Sequence, residues 1–230
     1  IDRSRGLGDV YKRQAQSLGL QVVMVPGKGP ILQTATTEAE VAALNVENTE
    51  EFFHYAAPAI KAVKEGLDNR VPLIGFAGSP WTLLCYMVQG QGSKDFGEAK
   101  RFILNEPERA KMMLEKITEA TIRYLHIQID AGCDAVQIFD SWGGMLSPAM
   151  YDEFSLPYME RITEAVKDRV PVILFAKGAW YALDKLHAAG ASALGLSWTT
   201  SPHYARKICG ADVILPVSYT HLRAHETDRY

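Results

Sequence analysis

Short apolar runs alternate with amphipathic stretches along most of the chain. The runs are continuous and rich in β-branched residues, and they predict buried strands at 71–78, 134–141, 170–178 and 192–200. Apolar residues recur at helical spacing between them, and Ser-Pro pairs at Ser79, Ser147 and Ser201 supply an N-cap and a first helical residue. Strands and helices that alternate in this way predict an α/β fold with a parallel sheet, either a barrel or a doubly wound open sheet.

Other local signals refine this pattern. QVVMV (21–25), the turn PGKGP and the run ILQTA predict a β-hairpin before the first buried strand. The spacing of Asn105 and Glu108 predicts a capping box at the start of a long helix. Pro157 is expected to kink or break the helix that follows Ser147, and ADVIL (211–215) is expected to begin a last strand.

The two ends of the chain lack such periodicity. Residues 1–14 and 216–230 show neither helical nor strand patterning, and both look like translated sequencing-adapter read-through. We therefore predict a non-native N-terminal extension at 1–14, a domain at 15–215 and a non-native C-terminal extension at 216–230.

Composition narrows the function classes. The 230 residues are 47% hydrophobic and 22% charged with a formal net charge of −3, which favours an ordinary globular protein without a nucleic-acid or membrane partner. Cys85, Cys133 and Cys209 are odd in number and far apart, so they predict buried thiols in a reducing cytosol rather than disulfides.

Aromatic residues, glycines and hydroxyls gather where the strands end. Trp81, Trp142, Trp180 and Trp198, the four tryptophans of the chain, lie at or just after these ends. Active sites of parallel α/β folds form at this edge, and such side chains suit a large planar ligand. The alternative is that each tryptophan caps the core.

Five segments at these positions resemble the uroporphyrinogen decarboxylase family. They are VPLIGFAGSPWTLLCYMVQGQGSK, AGCDAVQIFDSWGGMLSP, FSLPYM, VPVILFAKG and LGLSWTT, and they follow the family order across essentially all of 15–215. The resemblance implies a partial TIM (β/α)8 barrel whose first and last strands are missing. It also implies a cytoplasmic carboxy-lyase of porphyrin and heme biosynthesis, a homodimer at full length, which needs no metal or organic cofactor.

The resemblance also assigns roles by position. The family converts uroporphyrinogen III to coproporphyrinogen III by removing CO2 from four acetate side chains. Tyr86 falls on the active-site tyrosine, a catalytic and substrate-binding position, and Ser141 on a residue that contacts a substrate carboxylate. Phe76 and Phe139 match apolar residues that line the substrate cleft.

Several family features have no counterpart here. The Gln-Ala-Gly-Arg-Tyr and Phe-Ser-Asp segments, the Gln-Gly-Asn strand and a late histidine are absent, so the family's catalytic Asp is missing and we expect this chain alone to be inactive. Asp140 is not a substitute and is expected to bond nearby backbone. Ser197 replaces a common Asp, and Lys177 either meets a substrate carboxylate or is solvated.

Two other functions remain open at this point. Methyltransferases that depend on corrinoid or zinc share the barrel superfamily, but they typically need a His-x-Cys pair, and none of the three cysteines has a histidine two residues before it. A non-catalytic porphyrin-binding barrel is the third reading.

Overall fold

The structure of the chain is a computed structural model that describes residues 5–26, 29–210 and 213–216. The strands are β1 Val22–Val25, β2 Gly29–Leu32, β3 Ile74–Gly78, β4 Ala135–Asp140, β5 Val172–Ala176 and β6 Ala193–Gly195. The helices are α1 Arg5–Ser17, α2 Glu38–Ala43, α3 Asn48–Phe52, α4 Ala56–Leu67, α5 Pro80–Gln89, α6 Gly97–Asn105, α7 Pro107–Asp130, α8 Pro148–Phe154, α9 Leu156–Val166, α10 Leu183–Ala188 and α11 Pro202–Cys209. Short 3₁₀ turns precede α8 and α10.

The main sheet is parallel, with β3, β4, β5 and β6 paired in the order of the chain. A doubly wound sheet reverses its strand order at a switch point, whereas a barrel adds each strand beside the previous one. Ile214 forms a parallel bridge to Ala193, and this bridge continues the same strand order. Within the described residues, the bridge is the part of the strand predicted at 211–215 that forms. The prediction of a partial barrel of the α/β class is confirmed.

The two faces of this sheet differ in burial. Side chains that point toward the helices, among them Val136, Ile138 and Leu174, are fully or almost fully buried. Those on the opposite face, including Gln137 and Ile173, are only half-buried. The expectation of buried strands is therefore wrong for this second face, because the part of the chain that the structure describes covers it incompletely.

The Ser-Pro helix starts form as predicted, because each serine caps a helix whose first residue is proline. The Ser79 hydroxyl accepts a hydrogen bond from the backbone N–H of Thr82 at 3.1 Å. A proline at this position costs nothing, since the first helical N–H has no partner inside the helix. The same arrangement starts α8 at Ser147 and α11 at Ser201.

Other local predictions divide between right and wrong. The hairpin is confirmed, since β1 and β2 pair antiparallel. Pro157 breaks its helix as expected, because α8 ends at Phe154 and α9 begins at Leu156. The capping box at Asn105 and Glu108 is wrong: Asn105 is the last residue of α6, and the N-cap of α7 is Glu106, which makes no side-chain cap bond.

The edge of β3 that faces away from β4 is closed by glutamine side chains. Ser79 N–H donates to Phe139 on the β4 side, so the even-numbered residues of β3 point their backbone groups to the other edge. There the Gln128 amide accepts from Phe76 N–H at 2.8 Å and donates to Phe76 C=O at 3.0 Å. Gly78 N–H donates to Gln14 Oε1 at 2.8 Å. Two side chains thus take the hydrogen bonds that a neighbouring strand would make.

Helix α1 crosses the boundary predicted after residue 14. Its residues Arg5 to Gln14 are helical, so the expectation that this stretch has no regular structure is wrong. Tyr11 is buried against the domain. The division at residues 14 and 215 stays a prediction, and residues 217–230 lie outside the described residues.

Candidate active site

Loops that follow β3, β4 and β5 meet at one edge of the sheet, the carboxyl edge. Ser79 N–H donates to Phe139 C=O at 2.9 Å, and Lys177 N–H donates to Asp140 C=O at 3.0 Å. The Gly144 N–H returns a bond to Lys177 C=O at 2.9 Å. A Cβ on Gly144 would lie 2.7 Å from that oxygen, so glycine is what allows the loops to cross this closely. The predicted site residues Tyr86 and Ser141 both follow strands that end here.

Tyr86 lies on α5, and its side chain is buried among aromatic rings from other parts of the chain. Its ring centroid lies 5.8 Å from that of Tyr11, 5.6 Å from Phe96 and 6.5 Å from Trp142. Burial raises the pKa of the Tyr86 phenol above its usual value. The phenol therefore keeps its proton at neutral pH and is available as a hydrogen-bond donor.

Ser141 and Tyr86 both contact the side chain of Tyr11. The hydroxyls of Ser141 and Tyr11 lie 2.9 Å apart, and the Tyr11 ring packs on Tyr86. Burial raises the pKa of Tyr11 to about 12, and the Ser141 bond partly opposes this shift. Tyr11 belongs to the segment predicted to be non-native, so in this structure an N-terminal tyrosine occupies the space between the two predicted substrate-binding residues.

Three phenylalanines cross the half-buried face of the sheet, and we call them the phenylalanine row. Phe76 and Phe139 meet edge to face at a centroid distance of 6.2 Å, and Phe139 meets Phe175 at 5.8 Å. Gly195 leaves room for this row, because a Cβ there would lie 2.7 Å from the Phe175 ring. Phe175 was missed from the sequence, although it occupies the position in VILFAK that Phe139 occupies in VQIFDS.

Asp140 has no exposed surface and is surrounded by hydroxyl groups. Its Oδ1 accepts from Ser79 Oγ at 2.8 Å and from Thr82 Oγ1 at 3.0 Å, and its Oδ2 accepts from Ser155 Oγ at 2.7 Å. We call these four residues the Asp140 cluster. Burial raises the pKa of the carboxyl, and the hydroxyl donors oppose the shift. The expectation that Asp140 bonds nearby backbone is wrong, because its carboxylate partners are side chains from two other segments.

The four tryptophans differ in burial. Trp81 is fully buried and donates from Nε1 to Trp142 C=O at 3.0 Å, so it packs in the core. Trp180 and Trp198 are 49% and 59% exposed. The core-capping alternative is therefore confirmed for Trp81, whereas a ligand-contacting role for Trp180 and Trp198 stays a prediction.

Two polar positions that the sequence left open have different surroundings. Ser197 is buried, and its hydroxyl lies 2.8 Å from that of Thr199. Lys177 is half-buried at the carboxyl edge. Its backbone N–H and C=O join the loops after β4 and β5, and its role toward a substrate stays a prediction.

Metal-binding geometry is not found in the described ranges. Within residues 5–26, 29–210 and 213–216, no group of three or more His, Cys, Asp or Glu side chains could hold a metal ion. Cys85, Cys133 and Cys209 are buried free thiols. No helix in this part of the chain is long and apolar enough to cross a membrane.

Comparison with known proteins identifies relatives. The family model described as Uroporphyrinogen decarboxylase (URO-D) matches residues 12–216. A uroporphyrinogen decarboxylase from Christiangramia forsetii is 48% identical over 211 residues, which are 91% of this chain and 62% of the relative. One from Schizosaccharomyces pombe is 44% identical over 205 residues, 85% of this chain and 57% of that protein. The chain thus spans about three fifths of the length of such curated relatives.

A solved structure agrees in fold. A methyltransferase from Methanosarcina mazei superposes with a TM-score of 0.66 over 89% of this chain and 60% of its own. The two sequences are 16% identical, so this likeness concerns the architecture alone.

Proposed function

The chain belongs to the uroporphyrinogen decarboxylase family, and on that basis we propose that the whole protein converts uroporphyrinogen III to coproporphyrinogen III. In each of four acetate side chains, the bond between the methylene and carboxyl carbons breaks and CO2 leaves. The pyrrole ring is protonated first, so the electron pair of the breaking bond neutralises the ring and leaves an exocyclic methylene. A proton then adds to this methylene to give the methyl group, and the ring loses its own extra proton. The observation that supports the proposal is that Tyr86 and Ser141, which follow strands ending at the carboxyl edge of the sheet, both contact the side chain of Tyr11.

Tyr86 is proposed to hold a substrate carboxylate by donating its phenolic proton. A raised pKa supports this role, because the phenol stays protonated while the carboxylate is charged. Its aromatic neighbours lower the local dielectric, which strengthens such a bond. Since the bond holds the acetate side chain, it also orients the methylene–carboxyl bond that breaks.

Ser141 and the phenylalanine row are proposed to complete the substrate contacts. The Ser141 hydroxyl can donate to a second carboxylate oxygen once Tyr11 no longer occupies it. Phe76 and Phe139 are half-buried side chains on the same face of β3 and β4, so they offer an apolar wall to a pyrrole ring. The charged groups that balance a protonated pyrrole are expected from the family segments without counterpart in these residues.

The remaining features of the proposal concern the cell. We propose a cytoplasmic homodimer, with residues 15–215 as its native segment. Three buried free cysteines suit a reducing compartment. Light scattering on the whole protein tests the dimer, and a monomer at micromolar concentration would contradict it.

Binding is the first test of the proposed site. We expect the 230-residue chain to bind uroporphyrin III, a stable oxidised form of the substrate, with saturable fluorescence anisotropy. Tyr86→Phe removes the phenol donor and should weaken binding about tenfold, the loss of a hydrogen bond to a charged group. Tyr55→Phe, at a 49% exposed position, is the matched control. Equal affinity for both variants would contradict the role of Tyr86.

Turnover is the second test. A chimera joins residues 15–215 to the N- and C-terminal segments of the Christiangramia forsetii relative. We expect it to form coproporphyrinogen III from uroporphyrinogen III under anaerobic conditions, measured by chromatography after oxidation. The 230-residue chain alone should form none. A chimera that folds without turnover, beside an active relative, would overturn the proposed function.

A further inference from the structure

The Asp140 cluster joins three segments that are far apart in sequence. Asp140 ends β4, Ser79 and Thr82 begin α5, and Ser155 lies between α8 and α9. The partners on α5 are 61 and 58 residues away from Asp140 along the chain. Within the described residues, the hydrogen bonds of this carboxylate go to hydroxyl groups and not to a cation. Burial of a carboxyl group costs free energy that its hydrogen bonds must offset, so a role in the structure is expected for it.

The positions of the Asp140 partners on α5 indicate this role. Ser79, Thr82 and Tyr86 are spaced at i, i+3 and i+7, so they lie along one face of the helix. Two hydrogen bonds from this face to the same carboxylate oxygen fix the rotation of the helix about its axis. Tyr86 lies four residues beyond Thr82, about 6 Å along the axis. Any rotation at Thr82 therefore swings the phenol.

We propose that Asp140 is a positioning residue, which sets the rotation of α5 and thereby orients the Tyr86 phenol toward the end of β4 that carries Ser141. Trp81 is a second anchor in the same place, because its Nε1 donates to Trp142 C=O at 3.0 Å. The proposal rests on the proposed function only where it gives the phenol a substrate to hold. The orientation itself is a property of the chain without ligand.

A matched pair of variants separates positioning from simple stabilisation. Thr82→Val and Ser155→Ala each remove one hydroxyl bond to Asp140, at 3.0 and 2.7 Å. Thr82 is on the Tyr86-bearing helix, whereas Ser155 lies between α8 and α9. If Asp140 only stabilises the fold, both variants should act alike on every readout. If it positions the phenol, only Thr82→Val should disturb Tyr86.

The first readout needs no ligand. Tyrosine is labelled with ¹³C at the ring carbon that bears the hydroxyl, and the Tyr86 resonance is assigned by its absence in Tyr86→Phe. We expect Thr82→Val to shift this resonance and its pH titration, Ser155→Ala to leave both at wild-type values, and Thr82→Ser to restore them. An unshifted resonance in Thr82→Val, or equal shifts in both variants, would overturn the proposal.

The second readout is a double-mutant cycle on uroporphyrin III binding. Thr82→Val should weaken binding about threefold or more in the wild-type background and leave it unchanged in the Tyr86→Phe background, as expected for coupled neighbours. Ser155→Ala should have the same small effect in both. Additive effects of Thr82→Val and Tyr86→Phe would refute the coupling. Absence of binding by the unmutated chain would count against the proposed function, and the ¹³C measurement would then decide the positioning proposal by itself.

Discussion

Gln128→Leu tests whether a side chain can replace a strand at the free edge of β3. The Gln128 amide makes two hydrogen bonds to the backbone of Phe76, at 2.8 and 3.0 Å, and Gln128 is only 3% exposed. Each buried backbone group left without a partner costs about 1–3 kcal/mol. Phe76 is half-buried, so we take about 1.5 kcal/mol for each of the two groups. Burial of the leucine side chain offsets about 1 kcal/mol of this loss. The free energy of unfolding should fall by about 2 kcal/mol.

Urea unfolding measures this change, and amide hydrogen exchange locates it. We expect protection of the Phe76 amide to fall in Gln128→Leu. Gln89→Leu is the control, because Gln89 is a half-buried helical glutamine whose Oε1 has no hydrogen-bond partner in the described part of the chain. If the two leucine variants unfold at the same urea concentration, or if Phe76 stays protected, the glutamine does not act as a strand substitute.

Three further predictions concern Gly144, Asp140 and Tyr11. Gly144→Ala should destabilise the chain by about 2 kcal/mol in urea unfolding, since its Cβ would overlap backbone at 2.7 Å. Gly92→Ala, with no heavy atom within 4 Å, should not, and equal effects would contradict the close crossing of the loops. Burial raises the pKa of Asp140, so the folded chain binds this proton more tightly than the unfolded chain does. The resulting stability is present below the ordinary pKa of about 4 and is lost as pH rises toward the folded value. Asp140→Asn should remove that slope, and parallel stability curves would refute the shift. Tyr11→Ala should tighten uroporphyrin III binding about threefold or more by freeing Ser141, and unchanged anisotropy titrations would show that Tyr11 does not compete.

Local sequence patterns predicted the local structure well. The Ser-Pro starts at Ser79, Ser147 and Ser201 were predictable because a cap and its helix are neighbours in sequence. The Asn105 capping box failed because a second helix, α6, extends to that residue and uses it in its own last turn. The helix before Gln14 was missed although Leu7, Val10 and Tyr11 have the i, i+3 and i+4 spacing of an apolar helix face. Tyr11 is buried there by packing against distant residues.

The site was only partly predictable, because its bonds join residues that are distant in sequence. Family motifs predicted Tyr86 and Ser141 as site residues, but they contained no sign that Asp140 binds three hydroxyls from other segments. A serine or threonine at a helix start has an ordinary capping role. Its second hydrogen bond, to a carboxylate on a strand, cannot be predicted before the positions of the strands are known. The sequential order of the strands was also open between two fold types, and the pairing alone resolved it.

The long sequence separation within the Asp140 cluster has a consequence for folding order. Closing the bonds from Thr82 and Ser79 to Asp140 requires the intervening helices α5, α6 and α7 to be in place, because these elements connect β3 to β4. Such contacts form late, since the loop entropy must be overcome before they contribute. The pairing of β3 with β4 closes the same loop, because Ile74 and its partner Ala135 are also 61 residues apart. The orientation of Tyr86 is therefore expected to become fixed together with this strand pairing, and not while α5 is an isolated helix.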